Sequence, residues 1–261
     1  MTDFSHSLTP VILTYNEEPN IARCLERLRW APRVVVVDSF SADATPRICA
    51  DYPNVTFLQR TFDDHTQQWN FGLDAAETLW VLALDADYVL GTGFEDELAR
   101  LTIPEEVDAY DAAFRYLICG KPLRASLYPP RAVLFRKDRC RYVQDGHTQL
   151  LRVPGTCAHL ATRIDHDDRK PLTRWFASQD KYALLEADKL AAADSSTLRL
   201  QDKLRCSLFA AIPATLIYTL IVKGTLFDGW RGWYYTLQRT IAEIMLALRL
   251  LEKRFNERTD S

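Results

Sequence analysis

Short apolar runs alternate with helical stripes along the first hundred residues. Runs typical of buried strands cover 10–15, 33–40, 54–60 and 78–87. Between them, polar and apolar positions repeat at helical spacing, which predicts helices over 17–30, 44–52 and 65–77. Pro19 suits the first turn of the first helix, where its missing N–H is no loss. This alternation predicts a mostly parallel sheet with helices on both faces.

The pattern changes after residue 105. Segments 109–121, 131–137 and 140–155 read as strands joined by Gly- and Pro-containing turns, and we expect them to pair antiparallel. An apolar stripe then predicts a helix over 170–190, with Asp167 and Asp168 as its expected caps. The chain is therefore expected to comprise three segments, 1–105, 106–200 and 201–261.

The last of these segments is apolar and aromatic. Residues 207–222 carry no charge but are short for a membrane span, and Pro213 interrupts them. Trp and Tyr residues follow beside Arg231 and Arg239, a mixture typical of a bilayer interface. We predict a hairpin of amphipathic helices that lies on a membrane surface through residues 207–251. The alternatives are a soluble helical subdomain or dimer interface, and a transmembrane span.

Composition narrows the class of protein. The 261 residues carry a net charge of -3, which argues against a nucleic-acid-binding protein. The six Cys show no CxxC spacing and the five His no zinc spacing, so we expect reduced thiols and no structural zinc. The N-terminus lacks the basic and long apolar segments of a signal peptide. We therefore expect a cytoplasmic protein.

Polar residues follow three of the predicted strands. In "WVLALDADYVL", Asp85 and Asp87 are expected to share one side of the strand end. Two carboxylates this close repel each other unless a divalent cation binds them, although a solvated turn is the simpler alternative. Residues 14–17 and Asp38 end two other strands, and parallel sheets bind ligands at this edge. The convergence favours a metal and ligand site.

The segments "VILTYNEEPNIARCLERL", "VVVVDSFSADATPRI" and "WVLALDADYVL" resemble family 2 glycosyltransferases with the GT-A fold. The later "GKPLRASLYPPRAVLFRK", "GHTQL", "IDHDDRK" and "KGTLFDGWRG" resemble the short bacterial branch that includes lipopolysaccharide-core glucosyltransferases. The resemblance implies a Rossmann-like α/β fold whose segment 1–105 binds the nucleotide sugar, whose segment 106–200 binds the acceptor, and whose C-terminal helices are amphipathic.

The resemblance also implies an activity. Such enzymes transfer a sugar, usually with inversion, from a nucleotide diphosphate donor, here expected to be a UDP-sugar, and Mg²⁺ or Mn²⁺ is the expected cofactor. The expected acceptor is a lipid-linked or lipopolysaccharide-like glycan, which would place the protein peripherally or monotopically on the inner face of the membrane. One alternative is a nucleotidyltransferase, against which the absence of glycine from "LTYNEEPN" counts. Another is a non-catalytic relative that binds nucleotide sugar.

Individual residues match the family's motifs. The implied metal ligands are Asp85, Asp87 and His166, and Asp85 is also expected to face the ribose. The implied donor-binding residues are Thr14, Tyr15, Asn16, Glu17, Asp38, Gln68 and Asn70. For Tyr15 the alternative is core packing, and for Glu17 a surface position at a helix start. Relatives often have Lys where this chain has Trp69, so another basic residue is a candidate for its contact.

The expected catalytic base departs from the family's pattern. Relatives carry a His-Glu pair, but here Thr148 follows His147. We take Asp145 as the candidate general base, with His147 as its orienting partner or as an alternative base. Asp145 followed by Gly146 is also a common way to begin a turn. Arg131 and Arg136 are candidates for contacts with phosphate or acceptor anions, or are solvated strand ends.

Overall fold

The computed structural model describes residues 4–145, 148–194, 196 and 198–259. The chain forms two units, of which the first comprises Met1–Gly120 and Tyr128–Arg169 and the second comprises Lys121–Leu127 and Lys170–Ser261. The chain thus leaves the first unit and returns to it before it completes the second. The three segments expected from the sequence are a division by function, and that division stays a prediction.

Thirteen strands are described: β1 (Leu8–Thr14), β2 (Val34–Asp38), β3 (Val55–Gln59), β4 (Trp80–Asp85), β5 (Tyr88–Leu90), β6 (Val107–Ala112), β7 (Phe114–Ile118), β8 (Lys121–Pro122), β9 (Arg131–Arg136), β10 (Arg141–Asp145), β11 (Thr148–Arg152), β12 (Thr156–His159) and β13 (Ile164–His166). The main sheet has the order β12-β6-β9-β4-β1-β2-β3. Within it only β9 runs against its neighbours. The predicted mostly parallel sheet is confirmed.

Helices cover both faces of this sheet. The first unit contains α1 (Ile21–Glu26), α2 (Thr45–Ala50), α3 (His65–Ala75) and α4 (Phe94–Arg100). On one face, Ile12 and its neighbours pack in a buried cluster with α1 and α4. On the other face, Val11 and Val37 pack with Trp69 and Leu73 of α3. Because both faces are covered, the central strands are apolar without alternation, as the sequence indicated.

The second half of this unit combines antiparallel and parallel pairs. β10 and β11 form an antiparallel hairpin, and β9 is antiparallel to β4 and β6, as predicted for segments 131–137 and 140–155. In addition, β12 pairs parallel with β6, and β13 lies between β5 and β7, parallel to β7. These two strands lie outside the predicted segments. Some of their partners are distant in sequence, so turn signals between consecutive strands could not reveal them.

The first helix is shorter than expected. It begins at Ile21, because Asn16 adopts a left-handed conformation with φ 53° and residues 17–20 form turns. Pro19 therefore precedes the helix, which corrects its expected place in the first turn. The shortening matters because the turns carry several of the predicted ligand-binding residues.

The second unit is helical. It contains α5 (Leu172–Ala192), α6 (Leu200–Cys206), α7 (Ala211–Ile217), a π-helical turn (Tyr218–Val222), a 3-10 turn (Thr225–Asp228) and α8 (Trp230–Thr259). Ala187 and Leu190 of α5 pack with Leu246 and Leu250 of α8 in its core. Among the helices that the structure describes, none is both long enough and apolar enough to cross a membrane.

Residues 121–127 belong to this helical unit although the chain returns to the first unit after them. The Leu127 amide donates to the Tyr235 hydroxyl at 2.7 Å, and the Arg124 amide donates to Asp228 Oδ2 at 3.1 Å. This short segment is thus fixed to the C-terminal part of the chain.

Candidate active site

The carboxyl ends of β1, β2 and β4 bring the first polar residues together. The parallel register pairs Thr14 with Asp38 and Leu13 with Asp85. Three strand ends that are distant in sequence therefore meet at one edge. This is the edge at which ligands bind in open α/β sheets.

Asp38 is completely buried and accepts four hydrogen bonds. Thr14 Oγ1 donates to Oδ1 at 2.9 Å, and the Ser41 amide donates to Oδ2 at 2.8 Å. The Ser41 hydroxyl and the Gln59 amide group are the other donors. Because a carboxylate has about four acceptor sites, a nucleobase would have to replace one of these donors. Asp38 thus holds β1, β2 and β3 in register, and its contact with a base stays a prediction.

The loop after β1 presents one aromatic side chain to solvent. Tyr15 is 54% exposed, so the alternative of core packing is wrong. Asn16 supports it: its amide donates to Ser41 Oγ at 2.7 Å, and its Oδ1 accepts from the Ala42 amide at 2.7 Å. Asn tolerates the left-handed conformation that this position requires.

Glu17 belongs to a buried polar network rather than to an exposed helix start. Its Oε2 accepts from Asn20 Nδ2 at 2.8 Å, and Asn20 Nδ2 also donates to Asp168 Oδ1 at 2.9 Å. Asp167 is buried next to them and accepts from Arg23 at 2.6 Å and from Arg169 at 2.8 Å. These contacts fasten the loop after β1 to the segment that carries His166.

The expected capping role of Asp167 and Asp168 is wrong. Their carboxylates bond to residues of the first unit. Within the described residues, α5 follows Pro171 and has no side-chain hydrogen bond at its N-cap.

Gln68 and Asn70 on α3 have different partners. Gln68 Nε2 donates to Ser39 Oγ at 3.0 Å and its Oε1 accepts from Arg60 at 2.8 Å, so it lies beside the strand end at Asp38. Asn70 bonds to both the amide and the carbonyl of Tyr142, which fastens β10 to α3. The structure thus gives Asn70 a structural role, and a donor contact stays a prediction for both residues.

Asp85, Asp87 and His166 form a close group of titratable side chains. His166 Nε2 lies 3.2 Å from Asp87 Oδ2, and the Asp167 amide donates to the Asp87 carbonyl at 3.1 Å. Burial, followed by the Asp87 charge, raises the pKa of Asp85. Burial lowers the pKa of His166, but Asp87 more than offsets this, so the net shift is upward. The structure therefore brings His166 into contact with Asp87, and Asp85 lies close enough to both for their charges to interact.

Their donor atoms are those that a hard cation binds. Within the described part of the chain, His166 Nδ1 is buried and has no hydrogen-bond partner. Carboxylate oxygens with an imidazole nitrogen suit Mg²⁺ or Mn²⁺, especially when a phosphate supplies further oxygens. Across residues 4–145, 148–194, 196 and 198–259, however, no three His, Cys, Asp or Glu side chains form a ready-made metal cluster.

Sequence reasoning missed an aromatic group beside these charges. The Tyr88 and Tyr128 hydroxyls bond to each other, and Tyr88 also bonds to Asp85. Burial and the Asp85 charge raise the pKa of both phenols. The centre of the His166 ring lies 4.7 Å from the centres of the Tyr116 and Tyr128 rings. Tyr88 follows the "DAD" motif directly, but nothing in the sequence indicated that Tyr128 would reach the same place.

The predicted base lies at a hairpin turn. Asp145 ends β10, and its backbone pairs with Thr148 at the start of β11. His147 lies outside the described residues, so the structure does not test the Asp145–His147 pair.

Comparison with known proteins identifies the family. Residues 9–161 match the model of "Glycosyl transferase family 2". The lipopolysaccharide core biosynthesis glycosyltransferase LpsC of Rhizobium meliloti (strain 1021) is 24% identical over 204 residues, which cover 70% of this chain and 71% of LpsC.

A solved structure supports the fold. The crystal structure of S. aureus TarS 1-349 in complex with UDP-GlcNAc matches with a TM-score of 0.51 at 15% identity, covering 96% of this chain and 92% of that chain. At this identity the match shows the fold alone, which is GT-A. The family match covers more than half of the chain, and it includes the strand ends that carry Thr14, Asp38 and Asp85. The chain therefore belongs to glycosyl transferase family 2 and is a glycosyltransferase that uses a nucleotide-sugar donor.

Proposed function

We propose that this glycosyltransferase is metal-dependent and inverting, and that it moves a sugar from a UDP-sugar to a lipid-linked or lipopolysaccharide-like glycan at the cytoplasmic face of a membrane. One observation carries the proposal. Asp85, Asp87 and His166 gather at the edge where parallel sheets bind ligands, and Asp85 is held at a raised pKa. Groups with perturbed pKa values at such an edge mark a functional site.

The metal site consists of Asp87 as the main ligand, with Asp85 and His166 beside it. Bound there, Mg²⁺ or Mn²⁺ would stabilise the negative charge that grows on the leaving diphosphate. The chain's own residues orient the ligands: Tyr88 hydrogen-bonds to Asp85, and His166 contacts Asp87. The Asn20–Asp168 and Arg23–Asp167 contacts hold the His166 segment in place.

Inversion requires a general base on the acceptor side. Asp145 is our candidate, with His147 as the residue that orients it or replaces it. In this assignment the acceptor hydroxyl gives its proton to the Asp145 carboxylate as the new glycosidic bond forms. The position of Asp145 at the end of β10, the strand that Asn70 fastens to α3, supports this role.

A uridine nucleotide is the proposed donor. The TarS structure that shares the fold contains UDP-GlcNAc. In this chain, exposed Tyr15 offers a stacking surface, and Asp38 lies at the neighbouring strand end. Exchange of the Ser41 hydroxyl for the N3–H of uracil would leave Asp38 with four donors.

The acceptor and the membrane contact follow from the tail and from LpsC, whose name places it in lipopolysaccharide core biosynthesis. The second unit exposes an apolar surface that we define by Ile217, Ile221, Val222, Phe227 and Trp230. Val222 is 66% exposed and Phe227 is 73% exposed. Lys223 and Arg231 stack on aromatic rings of the same region. An apolar surface with adjacent cations suits an anionic lipid bilayer.

Calorimetric titration of UDP tests the donor and the metal together. Wild-type protein is expected to bind UDP more tightly with Mn²⁺ than with EDTA, and Asp87→Ala is expected to lose that difference. Asp138→Asn is the matched control, because Asp138 bonds to Arg136 outside the site. Equal binding with Mn²⁺ and with EDTA in the wild type would overturn the metal site, and no UDP binding at all would overturn the proposed donor.

A further inference from the structure

We propose that Arg131 binds the phosphate groups of the nucleotide donor. The inference deepens the proposed function and rests on it. It assigns a phosphate contact to the first residue of β9.

The position of Arg131 on Tyr128 places it at the site. Arg131 begins β9 and lies over the Tyr128 ring, 4.7 Å from the ring centre. The Tyr128 hydroxyl bonds to Tyr88, and the Tyr128 ring centre lies 4.7 Å from that of His166. Arg131 also lies close enough to Asp85, Tyr88 and Tyr142 to interact with them electrostatically. The side chain is therefore next to the carboxylates that form the proposed metal site.

The Arg131 guanidinium is available to a ligand. It is exposed and lies over the Tyr128 ring, 4.7 Å from the ring centre. In the part of the chain that the structure describes, no carboxylate forms an ion pair with it. Nearby arginines are already engaged, since Arg23 bonds to Asp167 and Arg115 bonds to Asp165. Arg131 thus combines closeness to Asp85 with a guanidinium that keeps its hydrogen-bond donors.

The neighbouring part of α3 offers no cation to the donor. Trp69 is 4% exposed and stacks on Tyr142, with ring centres 5.3 Å apart. It belongs to the core between α3 and β10. Tyr142 in turn lies near Arg131.

The chemistry of the guanidinium fits the ligand. Arg presents N–H donors in a planar fork that matches phosphate oxygens, and it stays charged at any working pH. Stacking on Tyr128 restricts the side chain before the donor binds, which lowers the entropy lost on binding. In the absence of donor, Arg131 partly compensates Asp85, and a bound diphosphate would bring negative charge to the same side.

A comparison of UDP with uridine separates phosphate binding from a merely structural role. We would measure both by calorimetry with Mn²⁺ present, for wild type, Arg131→Gln and Arg131→Lys. Loss of one charge-assisted contact is expected to weaken UDP binding about 10- to 100-fold in Arg131→Gln. Uridine binding should stay unchanged, and Arg131→Lys should lose less than Arg131→Gln. Arg33→Gln, which changes an arginine that pairs with Glu77 just before β2 begins, is the matched control and should bind UDP normally.

Two results would overturn the inference. Equal UDP affinities in wild type and Arg131→Gln would show that Arg131 makes no phosphate contact. Equal losses of UDP and uridine affinity would show that Arg131 only supports the structure of the site. If instead the wild type bound no UDP, the proposed function itself would fail, and this inference would fail with it.

Discussion

At the scale of single residues, the charge of Asp85 destabilises the folded protein when no ligand is bound. Its pKa is raised by burial and by the neighbouring Asp87, so its ionised form is less favourable in the folded chain than in the unfolded chain. A carboxyl group whose pKa is raised by folding stabilises the folded chain at pH values below its pKa in the unfolded chain, about 3.8. This stabilisation is lost as the pH rises through the pKa of the carboxyl group in the folded chain. At neutral pH the residue therefore opposes folding.

Removal of this charge should stabilise the protein when metal is absent. We expect Asp85→Asn to raise Tm in EDTA at neutral pH, by about 2–4 °C if the gain is about 1 kcal/mol. The difference in Tm between Asp85→Asn and wild type should shrink as the pH falls towards 3.8, because the wild-type carboxyl group then becomes protonated and loses its charge. Thermal unfolding followed by circular dichroism between pH 4 and pH 8 measures the effect.

Asp138→Asn gives the opposite control. The hydrogen bond from Arg136 lowers the pKa of Asp138, so loss of its charge should leave Tm unchanged or reduce it slightly. A lower Tm for Asp85→Asn at neutral pH would show that the Asp85 charge stabilises the fold even without metal.

Residue types at the site were largely predictable, but their partners were not. The sequence placed Asp38, Asp85 and Asp87 at strand ends, because a buried strand that ends in a carboxylate is a local pattern. It could not reveal that Asp38 accepts four internal hydrogen bonds, or that Tyr128 reaches Tyr88 from 40 residues away. Such contacts depend on the order of strands in the sheet, which local patterns do not encode.

At the scale of elements, α8 is held by a close approach at its first turn. A Cβ atom on Gly232 would lie 1.7 Å from the Thr225 carbonyl oxygen. The Thr225 hydroxyl donates to the Thr219 carbonyl at 2.9 Å and lies 3.0 Å from the Thr236 hydroxyl. The 3-10 turn is thus packed directly against the helix, and only glycine fits at this position.

Gly232→Ala should therefore destabilise the second unit, although Ala is the better helix former. Overpacking against a backbone atom is expected to cost about 1–3 kcal/mol. Fluorescence of Trp230 and Trp233 during urea unfolding would report the change in this unit. Gly72→Ala is expected to destabilise the protein less than Gly232→Ala. Its Cβ would lie 2.6 Å from a Val11 side-chain atom, which can move more easily than a backbone atom. An unchanged or higher stability for Gly232→Ala would contradict the packing argument.

The predictions of strands and helices were correct where the local pattern of apolar residues determines the secondary structure. The buried strand at 78–87 and the helix at 65–77 were found close to their observed bounds, β4 (Trp80–Asp85) and α3 (His65–Ala75). The predicted helix at 17–30 was too long, because Asn16 and Glu17 take part in tertiary hydrogen bonds that favour turns. Tertiary contacts thus override local propensity at the site itself.

At the scale of the whole molecule, the exposed apolar surface of the second unit gives a prediction about location. The protein is expected to sediment with phosphatidylglycerol-containing vesicles, and less with neutral ones, because Lys223 and Arg231 flank the surface. Replacing Ile221 and Val222 together by Asp should remove most of this binding. Leu150→Asp, which changes an exposed apolar residue of the first unit, is the control.

The alternatives to a membrane predict different results. Unchanged vesicle binding in the Ile221→Asp and Val222→Asp double variant would overturn the proposed surface. A wild type that binds no vesicles but forms dimers, with dimers lost in the double variant, would identify the surface as a contact between two copies.

The route of the chain between the units restricts how new enzymes can be assembled from relatives. Residues 121–127 are held by Asp228 and Tyr235, although more than 40 residues of the first unit separate them from α5. A chimaera that exchanges only the C-terminal part would thus combine the native 121–127 with foreign partners. An exchange of the second unit should therefore move 121–127 and 170–261 together, as two separate grafts.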